Sequence, residues 1–192
     1  MPSMKILLIA GGWSSEREVS LTGARGMQEA LLKRGHAVTF FDLLENFDEL
    51  LETARQHDFA LINLHGSPGE DGLVQAMLEK AGCPYQGSGP SGSFLALNKA
   101  AAKQIFRMAG LPTADWEFLP VRPAEGWEPR LPWPLFVKTT TGGSSLRLGR
   151  ATNRQELDAL MDEIFAAGEG VLIEPQLPGK EITCGILGEE AM

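Results

Sequence analysis

Up to Gly82 the chain alternates between two hydrophobic periods. Lys5–Ala10, Ala37–Asp42 and Phe59–Leu64 read as strands. The last is nearly all apolar, as strands covered on both faces of a parallel sheet are. Between and after them the spacing predicts three helices. The first opens at an S-x-x-E capping box, Ser15 and Glu18, with apolar positions at Val19, Met27, Ala30 and Leu31, and stops at Gly35. The second covers Phe47–Gln56. The third covers Leu73–Ala81 and ends at Gly82. The order β-α-β-α-β-α implies an α/β fold, a doubly wound parallel sheet. In such sheets ligands sit beyond the carboxyl ends of the strands. Here those ends are Gly11–Glu16 and His65–Gly72.

The pattern then changes. Pro84–Ser93 is rich in glycine, proline and serine and is the best candidate for a boundary. Asn98 caps a helix from Lys99 to Ala109. Trp116–Leu119 is a strand, and Pro120–Pro134 a loop. Leu135–Lys138 is a strand entering the glycine turn Thr139–Ser145, and Leu146–Leu148 returns from it. A second capping box, Thr152 and Gln155, opens an amphipathic helix with Leu157, Leu160, Met161, Ile164 and Phe165 at i, i+3, i+4, i+7, i+8. Val171–Glu174 and Glu181–Leu187 are two more strands. The second half is therefore α+β, with hairpins around a glycine loop. The expected division is 1–93, 94–185 and a short start of a further unit, 186–192. A strand followed by only a few residues leaves an unpaired edge, so a further segment is expected beyond Met192.

Composition narrows the function classes. There are 25 acidic and 17 basic residues, for a formal net charge of −8. That balance excludes an extended nucleic-acid surface but leaves room for a local basic pocket. The 22 glycines and 12 prolines fit a loop-rich fold between strongly periodic segments. Cys83 and Cys184 form no CxxC pair and read as reduced. The apolar run Ile6–Ala10 is too short for a signal peptide or a membrane span, so a cytoplasmic protein without membrane association is expected.

Five places could carry chemistry. Lys138 followed by T-T-T-G-G-S-S could cradle a phosphate, with close backbone approach, hydroxyl donors and a lysine charge; a plain hairpin turn is the other reading. No GxxxxGK[ST] occurs, and Gly11-Gly12-Trp13 lacks the later glycines of a dinucleotide fingerprint. His65-Gly66-Ser67-Pro68-Gly69-Glu70-Asp71-Gly72 follows the third strand, where a ligand is expected; Asp71 could instead simply cap the next helix. Glu16, at a helix N-terminus beyond the first strand, could hold a substrate ammonium or only complement the helix dipole. Lys99 opposes the dipole in the first turn of its helix, a penalty that a bound phosphate would remove. Glu174-Pro175-Gln176-Leu177 with Glu181 could be a strand edge, or could present backbone groups to a base and a carboxylate to a ribose. His36 and His57 read as solvated helix-end residues.

Taken together these segments resemble one family. Gly11–Leu21 reads G-G-x-S-x-E-R-E-V-S-L, and His65–Gly72 matches H-G-x-x-G-E-D-G. Pro84-Tyr85-Gln86-Gly87-Ser88-Gly89, Asn98-Lys99-x-x-x-Lys103, Phe136-Val137-Lys138, Gly143-Ser144-Ser145 and Glu174…Glu181-Ile182-Thr183 follow in order. All are similar to the motifs of D-alanine–D-alanine ligases, and they span the whole chain. The resemblance implies the ATP-grasp architecture, with ATP between a central and a C-terminal α+β domain. It implies ligation of two D-alanines through an acyl phosphate, for peptidoglycan precursors, and a homodimer.

By the same resemblance, Lys99 and Lys138 match the lysines that hold the ATP phosphates. Glu174 and Leu177 match the adenine-side linker, and Glu181 the ribose carboxylate. Glu16 matches the carboxylate that binds the first D-alanine's ammonium, and His65 the histidine near the reacting carboxyl. Gly143, Ser144 and Ser145 match the serine loop that closes over the acyl phosphate. The Mg²⁺-binding residues are expected in the segment beyond Met192, together with an arginine and a tyrosine loop, and no metal ligand is assigned in this chain. Three positions depart from the pattern: Thr139 stands where proline is usual, Asn98 where aspartate is usual, and Leu146-Arg147 where Val-Gly is expected. A D-alanine–D-lactate type of ligase and a catalytically incomplete nucleotide-binding fragment remain as alternatives.

Overall fold

The computed structural model describes residues 2–143, 147–187 and 190–191. The chain divides into two compact units, Met1–Thr113 with Thr139–Leu146, and Ala114–Lys138 with Arg147–Met192.

The first unit is built on β1 (Lys5–Ala10), flanked in parallel by β2 (Ala37–Asp42) and β3 (Phe59–Ile62) in the order β2-β1-β3. Alternate β1 side chains enter two cores, as the period of two requires. Leu7 and Ile9 pack with Phe41, Leu43, Leu50 and Leu78, whereas Leu8 and Ala10 pack with Ala24. Both faces of the sheet are thus covered, which is why β1 carries apolar residues without alternation. The sheet and its helices bear out the doubly wound reading.

Helix α1 (Arg17–Lys33) differs in detail from expectation. Glu16, not Ser15, holds its N-cap position, and no side chain caps it. Val19 and Met27, expected in the core, are exposed, while Ser20 and Ala24 are buried. The physical reason is packing distance: small side chains let the helix axis approach β1, which larger ones would hold away. The second predicted helix starts earlier and is broken. Asp42 accepts a bond from the Leu44 N–H and opens α2 (Leu43–Asn46); a 3₁₀ turn, Phe47–Glu49, leads into α3 (Leu50–Ala54). β3 ends at Ile62, before the expected Leu64. Helix α4 (Leu73–Ala81) closes on Gly82 in the left-handed conformation (φ 75°), as predicted. Inside the stretch expected as a boundary, Pro90 opens α5 (Pro90–Leu97) at a position that lacks an N–H bond to lose. Asn98 then caps α6 (Lys99–Met108) by accepting from the Ala101 N–H.

The second unit holds β4 (Glu117–Leu119), β5 (Leu135–Thr139), β6 (Leu148–Ala151) and β7 (Val171–Pro175), in the order β4-β7-β5-β6. β4 and β7 are antiparallel, as are β5 and β6, which pair Lys138 with Leu148 in the expected hairpin. Helix α7 (Arg154–Ala166) buries Leu157, Met161 and Ile164 against Leu135, Val137, Ala151 and Ile173. Gly149 on β6 is required here: a β-carbon there would lie 2.3 Å from Cδ2 of Leu160. The capping box sits one residue later than predicted. Asn153 accepts from the Glu156 N–H, and the Glu156 carboxylate accepts from the Thr152 N–H and hydroxyl. The backbone bond holds the Glu156 carboxyl below its usual range. Of the strand expected at Glu181–Leu187, only β8 (Ile186–Leu187) forms, paired with β9 (Glu190–Ala191). The start of the expected return strand, Leu146, lies outside the described residues. Among them, no helix is long and apolar enough to cross a membrane.

Candidate functional site

The loop after β1 turns on two glycines in left-handed conformations, Gly11 (φ 79°) and Gly12 (φ 75°). A β-carbon at Gly11 would lie 2.4 Å from Nη1 of Arg17, so the guanidinium lies across the loop. Arg17 donates to both Asp42 oxygens, at 2.7 and 2.6 Å, and to the Gly12 carbonyl at 3.4 Å. The Arg17 hydrogen bond holds the Asp42 carboxyl below its ordinary value, and the same bond raises Arg17 further. The Glu16 N–H donates to the Ser14 hydroxyl at 3.2 Å. The next N–H along, that of Arg17, donates to the Ser14 carbonyl. Glu16 is therefore presented at the start of a helix, on a loop clamped from both sides.

The loop after β3 approaches the same carboxylate. Gly66 has φ 66°, and a β-carbon there would sit 3.9 Å from Oε2 of Glu16 and 3.4 Å from Cβ of Ser14. Gly66 and Glu70 bond reciprocally: the Gly66 N–H donates to the Glu70 carboxylate at 2.8 Å, and the Glu70 N–H donates to the Gly66 carbonyl at 2.8 Å. His65, half-buried, precedes this turn. Asp71 accepts from the Leu73 N–H at 3.0 Å and from the Ser67 hydroxyl, which is its helix-opening reading.

The glycine turn is the third segment around Glu16. A β-carbon at Gly143 would lie 4.0 Å from its Oε2. Lys99 ties this turn to the start of α6: its backbone N–H donates to the Thr140 carbonyl at 2.8 Å, and its ammonium donates to the Gly142 carbonyl at 2.6 Å. Thr139, where the resemblance leads one to expect proline, donates its hydroxyl to the Thr141 carbonyl and so tightens the turn. Ser144 and Ser145 lie outside the described residues. Arg147, the departure from an expected glycine, has φ 52°, a conformation that glycine adopts freely and other residues rarely do.

In the second unit Lys138 on β5 meets Glu174 on β7 in a partly buried ion pair. The lysine expected at a phosphate and the glutamate expected at a base are thus each other's partners. Leu177 and Glu181 follow β7 on an exposed segment. Arg150 donates to the Gln176 side chain at 2.7 Å, which holds the start of that segment to β6. Among the described residues, no group of three His, Cys, Asp or Glu is placed to hold a metal ion.

Sequence reasoning passed over three sets of residues that shape this site. Arg17 and Asp42 are one. Gln86 is another: its side chain accepts from the Ile62 N–H at 2.9 Å and donates to the Ile62 carbonyl at 2.6 Å, gripping the end of β3. Ser20 and Asn63 are the third, joined by buried bonds. The available signal was a polar residue inside an apolar context, Ser20 on a helix face and Asn63 in a strand-like run.

Comparison with known proteins agrees with the motifs. Residues 104–192 match the family described as D-ala D-ala ligase C-terminus. The D-alanine–D-alanine ligase of Desulfovibrio desulfuricans is 75% identical over 189 residues, covering 98% of this chain and 62% of that protein. Among solved structures, the D-alanine–D-alanine ligase of Bacillus anthracis is 36% identical, with a TM-score of 0.87 over 98% of this chain and 62% of that one. Its structure complexed with ATP has a TM-score of 0.85 over 95% of this chain. The chain thus spans about 62% of the length of the relatives it matches. Its fold is that of the corresponding parts of these ligases.

Proposed function

We propose that the chain forms the N-terminal and central parts of a D-alanine–D-alanine ligase of the ATP-grasp family, which joins two D-alanines at the expense of ATP. One observation carries the reading. The Glu16 carboxylate sits where the loops after β1 and β3 and the glycine turn converge, within 4.0 Å of the β-carbon positions of both Gly66 and Gly143. Three segments far apart in sequence meet at one carboxylate, with two glycines leaving room beside it.

In this reading Glu16 holds the ammonium of the first D-alanine, and His65 lies near its carboxyl. Transfer of the γ-phosphate from ATP to that carboxyl forms an acyl phosphate and ADP. The amine of the second D-alanine attacks the acyl carbon. The new C–N bond forms, the C–O bond to phosphate breaks, and the amine loses a proton. Positioning and charge stabilisation do most of the work in such transfers. Lys99 and Lys138 supply positive charge to the phosphates. Glu174 and Leu177 border the base, and Glu181 takes the ribose. Gly143, Ser144 and Ser145 close over the intermediate and exclude water. Within the first unit, the Lys99 ammonium beside the open backbone of Gly142 suits a phosphate. The described residues offer no ligand cluster for Mg²⁺. By the same resemblance, the proposed role is peptidoglycan precursor synthesis in the cytoplasm, carried out by a homodimer. The division into 1–93 for substrate binding, 94–185 for the central ATP-grasp part and 186–192 for the start of a third part belongs to the same proposal.

The test is D-alanine-dependent phosphate release from Mg-ATP. Release that needs D-alanine and disappears in Glu16→Gln is the expected result. Release that survives Glu16→Gln removes Glu16 from the site. If this chain releases no phosphate, D-alanine binding that is lost in Glu16→Gln carries the assignment, with the chemistry residing in a longer protein.

A further inference from the structure

Ser20 lies one helical turn after Glu16, its N–H donating to the Glu16 carbonyl at 3.0 Å. Its side chain is fully buried. The hydroxyl does two things at once. It accepts from the N–H of Gly11, the first residue beyond β1, at 2.8 Å. It donates to the carbonyl of Asn63, two residues before His65. The Asn63 side-chain amide returns the contact, donating to the Ser20 carbonyl at 2.7 Å. The Asn63 N–H donates to the Ile9 carbonyl at 2.8 Å. Gly23 leaves room for that amide, since a β-carbon there would lie 3.1 Å from its nitrogen. A closed polar circuit therefore joins the end of β1, the Glu16-bearing turn of α1 and the end of β3. It lies in the interior, where each bond is electrostatically stronger than in water and each orphaned group is expensive.

We infer that Ser20 and Asn63 are positioning residues that fix the Glu16 carboxylate against the His65–Gly66 turn, and so set the affinity for the amino acid. Neither touches the ligand. Their effect passes through the spacing of two loops that are otherwise anchored to different strands. The inference rests on the reading of Glu16 and His65 as the D-alanine site.

The experiment is a titration of D-alanine into the 192-residue chain, followed by the amide signals of Gly12 and Gly66, with ATP titrated separately as a control. Ser20→Ala orphans the Gly11 N–H and the Asn63 carbonyl. Asn63→Ala is the milder variant, since it removes only the side-chain amide and keeps the backbone bonds. We expect Ser20→Ala to weaken D-alanine about tenfold or more and Asn63→Ala several-fold, on the order of one lost buried hydrogen bond. Because the two residues act as a unit, the double variant loses no more than Ser20→Ala alone. ATP affinity stays within about twofold, since Lys99, Lys138, Glu174 and Glu181, assigned to the nucleotide, lie outside the circuit. Hydrogen exchange at Gly11 and at Asn63–Gly66 rises together in both variants, while α4 is unchanged.

D-alanine affinity unchanged from that of the unsubstituted chain in folded Asn63→Ala and Ser20→Ala overturns the inference. So does a parallel loss of ATP and D-alanine, which marks the pair as a stability element only. If the unsubstituted chain shows no shift with D-alanine, the reading of the site fails first, and the role of the pair fails with it.

Discussion

Two ion pairs of the molecule are equally sheltered and differently built. Arg17–Asp42 in the first unit and Lys138–Glu174 in the second show the same side-chain exposures, 24% and 14%. The arginine uses a planar fork on both carboxylate oxygens and adds a backbone carbonyl; its carboxylate partner also opens a helix. The lysine offers a compact ammonium to its glutamate. A fork fixes geometry, whereas a point charge on a flexible stem can change partners. The first pair therefore belongs to a loop set before any ligand arrives. The second joins two strands through a contact with a less fixed geometry, and under the proposed function it is the pair whose lysine turns to the phosphates and whose glutamate turns to the base. A single kind of contact thus fixes geometry in one unit, and in the other, under the proposed function, leaves charges to be exchanged.

The sharpest way to break the fixed region is at its backbone. Gly72 has φ 91°, and a β-carbon there would lie 2.4 Å from the Pro90 carbonyl oxygen. Gly72→Ala is expected to destabilise the chain by about 3 kcal/mol, read as a lower urea midpoint, because both the conformation and the space forbid it. Arg17→Ala comes next, at about 2 kcal/mol, since it leaves Asp42 without its charged donor. The pH dependence follows from the sign of the Asp42 shift. Its carboxyl is lowered from an ordinary value of 3.8, so the stabilisation is complete above that value and is lost as pH falls through the lowered one. Asp42→Asn flattens the acid limb of a stability–pH curve, and an unchanged limb would refute this account. A smaller effect of opposite sign is expected at Arg147. Relief of its left-handed backbone in Arg147→Gly stabilises the chain by about 1 kcal/mol, measured by thermal unfolding. Smallest in stability is the exchangeable pair: Lys138→Met with Glu174→Gln shifts unfolding by less than about 1 kcal/mol. The same double variant weakens ATP at least tenfold if the lysine serves the phosphates. A stability loss as large as that of Arg17→Ala would erase the contrast between the pairs.

Much of this was legible in order of residues, and the exceptions share a cause. β1, β2, α4 and α7 announce themselves because their period and their stops are local: Gly82 ends one helix, and Leu157, Met161 and Ile164 mark the buried stripe of another. α1 misled because its buried face is made of Ser20 and Ala24, residues that a hydrophobic pattern does not count. α5 was hidden in a stretch whose glycines and prolines read as loop, although Pro90 is suited to a first helical position. The capping box at Ser15 and Glu18 was a motif without its geometry, since Glu16 took the N-cap position. For the site, Glu16, Gly66 and Gly143 were singled out by motif, and the structure brings them close together. The circuit through Ser20 and Asn63 was not legible, because partners 43 residues apart have no shared spacing to read. The same holds for Gln86, whose partner is a backbone.

That grip by Gln86 has a consequence for solubility. β3 is an outer strand of its three-stranded sheet, and outer strands offer unpaired peptide groups to any other extended chain. Ala60 is met by the Tyr85 bridge, and Ile62 is met on both its N–H and its carbonyl by one side-chain amide. The glutamine stands in for a single peptide unit of a neighbouring strand. At that residue the sheet is sealed against edge-to-edge association without the addition of a full strand.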